Sequence, residues 1–208
     1  MSNFNQEIKD IYRLKVPFEN IYTSVFLIST PTGPIIVDCA ATDEDVNEYI
    51  MPALEKAGIG LSDITTLILT HKHIDHAGGL SKLKSLIPRL KVIRDTQELF
   101  DGIYIYPMAG HTYDCIGVLD TRTNTLISGD ALQGAGVDKY RCSIQAPKAY
   151  LETIERIQAD KRIENILFSH AYEPWNKDHA HGRKAIDACL SQCKKYINGD
   201  KDESNTCK

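Results

Sequence analysis

The 208-residue chain has no run approaching the ~20 consecutive apolar residues that a membrane span requires. Its opening stretch, MSNFNQEIKD, lacks the apolar core of a signal peptide. A soluble, cytoplasmic protein is expected. Cysteine pairing is also missing. The six cysteines, Cys39, Cys115, Cys142, Cys189, Cys193 and Cys207, contain no CxxC, and a chain of this length buries enough surface to fold without disulfides. Reduced thiols follow. There is no cluster of Lys and Arg, and the formal charge is −4, so no nucleic-acid partner is expected. No linker-like break, repeat or low-complexity segment interrupts the text. The expectation is a single domain over 1–208 that acts on a small molecule, with a polar, frayed tail from about 198. Oligomeric state is not legible.

What is present begins with β-branched and aromatic segments, NIYTSVFLIST and GPIIVDCA, joined by PTGP, a β-hairpin signature. TDEDVNEYIMPALEKAG then opens on capping residues and closes on Gly58, which predicts a helix kinked or broken near Pro52. Strand-like runs follow at ITTLILT, KVIRD, GIYIYPMAG, IGVLDT and NTLISGD. A helix with Pro147 in its first turn comes next, then the strand ENILFSH and a last helix. In that last helix Ile186, Cys189, Leu190, Cys193 and Ile197 recur at helical spacing, which places both cysteines on a core face.

The apolar strands share an ending. IIVD closes on Asp38, LILTH on His71, LISGD on Asp130 and ILFSH on His170. Strands of a buried sheet that run the same way deliver their C-terminal ends to one edge, so residues distant in sequence can converge there.

Three of the seven histidines crowd into LTHKHIDHAGGL. If the chain stays extended past the strand, His71, His73 and Asp75 face one side. A zinc-binding helix of the HExxH kind needs histidines at i and i+4, and here that pair is His71 with Asp75. An extended exit followed by a turn therefore fits better. The small residues Ala77, Gly78 and Gly79 would let the backbone turn and bring His76 beside Asp75. Imidazole and carboxylate suit zinc, iron and manganese.

THKHIDHAGG resembles the HxHxDHxGG motif of the metallo-β-lactamase superfamily. Further elements follow in that family's order: IIVDCA, AGHTYDCIG, SGD and SHAYEP. The resemblance implies an α/β fold, an αββα four-layer sandwich with two central mixed sheets flanked by helices. It also implies a site for two divalent metal ions, zinc foremost, with iron or manganese as alternatives. On the matching positions, His71, His73 and His111 would hold one ion and Asp75, His76 and His170 the other. Asp130 would bridge them, and Asp38 would orient the ligand loop from behind. Two departures stand out. Tyr113, Asp114 and Cys115 replace the usual proline, glycine and serine, and Ala40 stands where a glycine is usual after Asp38. Cys115 reads either as a thiol beside the metals or as a small buried strand residue.

Two metal ions would lower the pKa of a bridging water to ~7 and polarise a carbonyl or phosphoryl oxygen. The reaction implied is metal-dependent hydrolysis by a bridging hydroxide, with Asp75 both ligand and proton shuttle. Asp130, where cysteine-ligated β-lactamases carry cysteine, points away from β-lactams and toward esters, thioesters and lactones. The short stretch after His170 argues against a glutathione thioester. The segment LQGAGVDKYRCSIQAP holds Lys139, Tyr140 and Arg141, and would either cover the metal edge and bind an anion or form an ordinary loop. Tyr172 and Trp175 read as an aromatic wall or as core. His179 and His181 read as surface or helix-start residues. Competing readings are an iron-dependent redox member of the family resembling persulfide dioxygenases, and a metal-binding module without catalysis.

Overall fold

A computed structural model describes residues 3–100, 102–133, 144–171 and 176–198. The chain divides into two compact units, Met1–Gln97 and Glu98–Lys208.

In the first unit, six strands form one mixed sheet in the order β1 to β6: β1 Asn5–Ile8, β2 Ile11–Phe18, β3 Ile21–Ile28, β4 Ile35–Val37, β5 Thr66–Ile68 and β6 Lys91–Ile93. The expected hairpin is β3 with β4, antiparallel with Phe26 opposite Val37. β4, β5 and β6 run parallel, with Val37 level with Ile68 and Ile68 level with Ile93. The C-terminal ends of β4 and β5 therefore emerge side by side, which places Asp38 next to the chain that leads to His71. No apolar pattern announces β1 or β2: β1 is the polar NQEI, and Arg13 and Lys15 interrupt the apolar residues of β2. Arg13 is nonetheless buried, its guanidinium 3.1 Å from Glu7 and 4.9 Å from the Phe26 ring centre.

The crossover from β4 to β5 carries the expected helix. Thr42 caps it: the Thr42 hydroxyl accepts the Asp45 N–H and the Asp45 carboxylate accepts the Thr42 N–H, both at 3.0 Å. The kink expected near Pro52 takes the form of a π turn, Val46–Ile50, between α1 Asp43–Asp45 and α2 Met51–Lys56. Proline cannot donate to the carbonyl four residues back, and widening the preceding turn keeps the helix running. Two short helices follow β5, α3 Ile74–Ala77 and α4 Leu80–Leu86. Val46, Ile50, Leu54 and Leu83 bury against Leu14, Val25, Ile36 and Leu67. Each fully buried aliphatic side chain is worth about 1.5–3 kcal/mol relative to exposure.

The second unit holds a second mixed sheet in the order β12-β11-β10-β9-β8-β7: β7 Glu98–Phe100, β8 Ile103–Pro107, β9 Ile116–Asp120, β10 Thr125–Ile127, β11 Asn165–Leu167 and β12 His179–His181. β10 and β11 pair in parallel, so the chains leading to Asp130 and His170 leave the same end of the sheet. Helices α5 Pro147–Ala159 and α6 Arg183–Asn198 bury Ile154, Ile157, Ile186 and Leu190 against Leu119, Leu126 and Ile166. Cys189 and Cys193 lie on that core face, as their spacing predicts. His179 and His181 do not open the last helix. They form β12, and the helix begins only after Gly182, whose φ of +77° ends the strand in the left-handed region. The tail expected to fray falls, from 199 on, outside the described residues. Among the described residues no helix is long and apolar enough to cross a membrane.

Candidate metal centre

In the first unit the ligand loop leaves β5 extended and stays so through His73, whose φ and ψ are −61° and 152°. There the extension stops. Asp75 and His76 lie on the single helical turn of α3, not on a continued strand, which corrects the expectation that residues 71 to 75 run straight. The extended part sets His71 Nε2 3.0 Å from His73 Nδ1. The helical part sets His76 Nε2 3.1 Å from an Asp75 oxygen, so His76 does come round beside Asp75.

Asp38 holds this loop from β4. One carboxylate oxygen accepts the Thr70 N–H at 2.8 Å. The other accepts the Thr70 hydroxyl at 2.8 Å and faces His76 Nδ1 at 2.7 Å. A neutral His76 with its proton on Nδ1 donates to Asp38 and turns the Nε2 lone pair toward the Asp75 carboxylate. Nε2 and the Asp75 oxygen at 3.1 Å are joined by a second proton on the ring or by a metal ion, so this donor set fits a divalent metal. Thr70 is a contributor that the sequence reading missed. Nothing but its place before His71 signals it.

Gly78 and Gly79 serve the loop differently than expected. Gly78 has helical angles, and a Cβ there would stand 1.8 Å from the Ala41 carbonyl oxygen; at Gly79 it would stand 2.3 Å from the Cys39 carbonyl oxygen. The need is for close backbone approach, not for an unusual turn. The opposing segment is itself tightly wound. Asp38 and Ala40 both take positive φ, +63° and +60°, which accounts for the glycine usual at the position of Ala40 in the family it resembles.

In the second unit, Asp130 follows β10 and His170 follows β11, and His170 Nε2 lies 3.1 Å from one Asp130 oxygen. His111 Nε2 lies 3.9 Å from the other. One carboxylate thus stands between two imidazoles. His111, Asp130 and His170 are buried. Behind His111, Gln133 places its amide nitrogen 2.7 Å from Nδ1; no pattern in the sequence points to this residue. Cys115 is a buried residue hydrogen-bonded to Thr112 at 3.0 Å, and burial pushes its thiol up to about 12. It is a neutral side chain at ordinary pH.

Lys139, Tyr140, Arg141, Tyr172 and Trp175 lie outside the described residues. His179 and His181 stack on each other with ring centres 4.4 Å apart. They line a cavity of about 570 Å³ with Phe168 and Cys189, which contains none of the expected ligands. The large apolar side chains most exposed among the described residues are Ile74, at 62%, and Tyr113, at 74%. The first sits between His73 and Asp75 and the second two residues after His111.

Residues 20–95 match the model of the metallo-beta-lactamase superfamily. Among curated proteins, the chain is 29% identical over 173 residues to a hydroxyacylglutathione hydrolase of Ectopseudomonas mendocina, covering 70% of this chain and 65% of that one. It is 31% identical over 130 residues to an atrochrysone carboxyl ACP thioesterase of Pseudocercospora fijiensis, covering 55% of this chain and 38% of that one. The chain thus spans under two thirds of either relative's length. Among solved structures, a metallo-beta-lactamase from Pseudomonas aeruginosa in its mono-zinc form superposes with a TM-score of 0.72 at 16% identity, over 94% of this chain and 96% of that one. One from Erythrobacter litoralis gives 0.68 at 20% identity, over 93% and 96%. These likenesses show the metallo-β-lactamase fold, in agreement with the fold class expected from the sequence.

Proposed function

From the match of residues 20–95 to the metallo-beta-lactamase superfamily model and the metallo-β-lactamase fold, we propose that the chain is a metal-dependent hydrolase of a small-molecule ester, thioester or lactone. The observation that carries this reading is His76. A buried carboxylate holds its Nδ1 at 2.7 Å while its Nε2 faces a second carboxylate at 3.1 Å, a histidine prepared to share a cation with Asp75.

In this proposal His71, His73 and His111 would hold one ion and Asp75, His76 and His170 the other, with Asp130 a ligand shared by the two. Bound metal ions supply an acidified water and a polarised carbonyl, zinc being the first choice for such ligands. The chain's own groups do the rest. Asp38 and Thr70 keep the ligand loop in place, and the Asp75 carboxylate carries the proton from the attacking water to the leaving group. Ile74, between His73 and Asp75 in the chain, and Tyr113, two residues after His111, are exposed apolar side chains, which suits a substrate whose acyl part is apolar. The four described cysteines are free and buried, which fits a reducing cytosol.

The test is elemental analysis of the purified protein together with a hydrolysis screen across ester, thioester, lactone and phosphodiester substrates. Two metal ions per chain and turnover of an ester, thioester or lactone are expected. A metal-loaded protein inactive on all four would defeat the hydrolase reading, and one iron per chain would favour a redox reaction.

A further inference from the structure

Gln133 is 1% exposed, as buried as the histidines around it. Its amide nitrogen lies 2.7 Å from His111 Nδ1 and 3.0 Å from the backbone oxygen of Asp130. One side chain therefore touches the ring of one proposed ligand and the backbone of another. Gln133 is itself braced. Its N–H donates to the Tyr150 hydroxyl at 2.6 Å, and that hydroxyl donates back to the Gln133 carbonyl. Tyr150 lies fully buried on α5 and abuts the residue before His111 as well: a Cβ on Gly110 would stand 2.5 Å from the tyrosine ring. The start of α5 adds to the brace, with the Gln145 and Ala146 N–H groups donating to the carbonyls of His111 and Gly110 at 3.2 and 3.0 Å.

We infer that Gln133 is the positioning residue that holds the His111 ring for metal binding, with Tyr150 bracing it from behind. The inference rests on the metal-centre reading above. An imidazole that ligates through Nε2 keeps its proton on Nδ1, and its neighbour must then accept. Gln133 carries such an acceptor: its Oε1 is buried without a hydrogen-bond partner among the described residues. The two ends of an amide exchange by rotation about its terminal torsion, with the side chain otherwise in place. Turned in this way, Gln133 accepts from His111 in the metal-ligating tautomer and gives up its hydrogen bond to the Asp130 carbonyl in exchange. A hydrophobic side chain of similar length would fill the space and leave the ring free to turn.

The test uses the full chain and three variants, Gln133→Met, Gln133→Glu and Tyr150→Phe. Metal affinity is read by competition with a chromophoric chelator, ligand geometry by the absorption spectrum of the cobalt-loaded protein, and folding by the unfolding midpoint in excess chelator. Gln133→Met is expected to weaken one of the two ions by about 10–100-fold and to change the cobalt spectrum. Gln133→Glu, which keeps an acceptor for His111 but loses the donor to the Asp130 carbonyl, retains the cobalt spectrum better than Gln133→Met, as does Tyr150→Phe. Wild-type affinity and spectrum in Gln133→Met would overturn the inference. A wild-type protein that takes up no metal would instead overturn the reading beneath it. If Gln133→Met does not fold, Gln133→Asn decides: its amide is drawn back by one methylene, so weakened binding supports the positioning role and wild-type binding overturns it.

Discussion

Asp38 and His76 meet at 2.7 Å through Oδ2 and Nδ1, with both side chains fully buried and 38 residues apart in the chain. The contact ties the end of β4 to the helical turn after β5. The same carboxylate holds Thr70 through two further hydrogen bonds, so one side chain secures both ends of the ligand loop.

Replacing Asp38 by Ala would strand the Thr70 N–H and hydroxyl and the His76 ring nitrogen in a buried place. A loss of about 3 kcal/mol is expected, at the level of a broken buried polar network. Urea unfolding in excess chelator measures it free of any metal contribution. A loss under about 1 kcal/mol would show that the loop does not depend on this anchor.

Gly78→Ala and Gly58→Ala separate two uses of glycine. The first drives a Cβ to 1.8 Å from the Ala41 carbonyl oxygen, while the second meets nothing within 4 Å but holds φ at +69°. Gly78→Ala is expected to cost about 3 kcal/mol or more through forced backbone movement, and Gly58→Ala about 1–2 through strain alone. Thermal unfolding of both proteins tests the order, and equal losses would contradict it.

Metal removal gives the next expectation. Chelation should stop hydrolysis, and returning the metal should restore it. Free metal at 100 times Kd should stabilise the fold by about 2.7 kcal/mol. Asp130→Ala, which takes away the carboxylate between His111 and His170, should abolish most of that gain. Calorimetric scans with and without added zinc show whether the variant keeps the shift, which it must not.

Tyr113 offers an exposed ring two residues beyond His111. With a substrate bearing an apolar acyl chain, Tyr113→Ala should raise KM several-fold, on the order of 1 kcal/mol of lost apolar contact, and leave kcat near wild type. Steady-state kinetics across a series of acyl lengths would show the loss growing with chain length. An unchanged KM throughout would remove Tyr113 from the binding surface.

Burial raises the thiols of Cys39 and Cys115, that of Cys115 to about 12, and the hydrogen bond with Cys193 together with burial raises that of Cys189. A raised folded-state value means that the folded protein keeps its proton longer than the unfolded chain. The stability this contributes is complete below about 9, the ordinary thiol value, and is lost as pH rises toward 12. At pH 8 iodoacetamide should leave these three cysteines unmodified in the folded protein and label them once it is unfolded. Mass-spectrometric mapping of the labelled sites reads the result, and rapid labelling of native Cys115 would contradict its burial.

Much of this was legible in the chain itself, because hydrophobic pattern and ligand spacing are local properties. The strand ends at Asp38, His71, Asp130 and His170 could be read from apolar runs that close on a polar residue. The capping box at Thr42 and the core face bearing Cys189 and Cys193 followed from spacing. β12 could not be read in the same way: HAH is too short and polar to announce a strand, and only pairing with β11 makes it one. The tertiary structure also decided the roles of residues whose value lies in distant partners. Gly78 matters because Ala41 approaches it, Ala40 accepts a left-handed backbone, Thr70 serves Asp38, and Gln133 reaches His111 from 22 residues away. The sequence by itself determined which side chains are candidates for the chemistry and the order in which they arrive. Only the folded backbone decided which nitrogen of each ring faces a neighbour and what holds it there, because those choices depend on contacts between segments that no local pattern encodes.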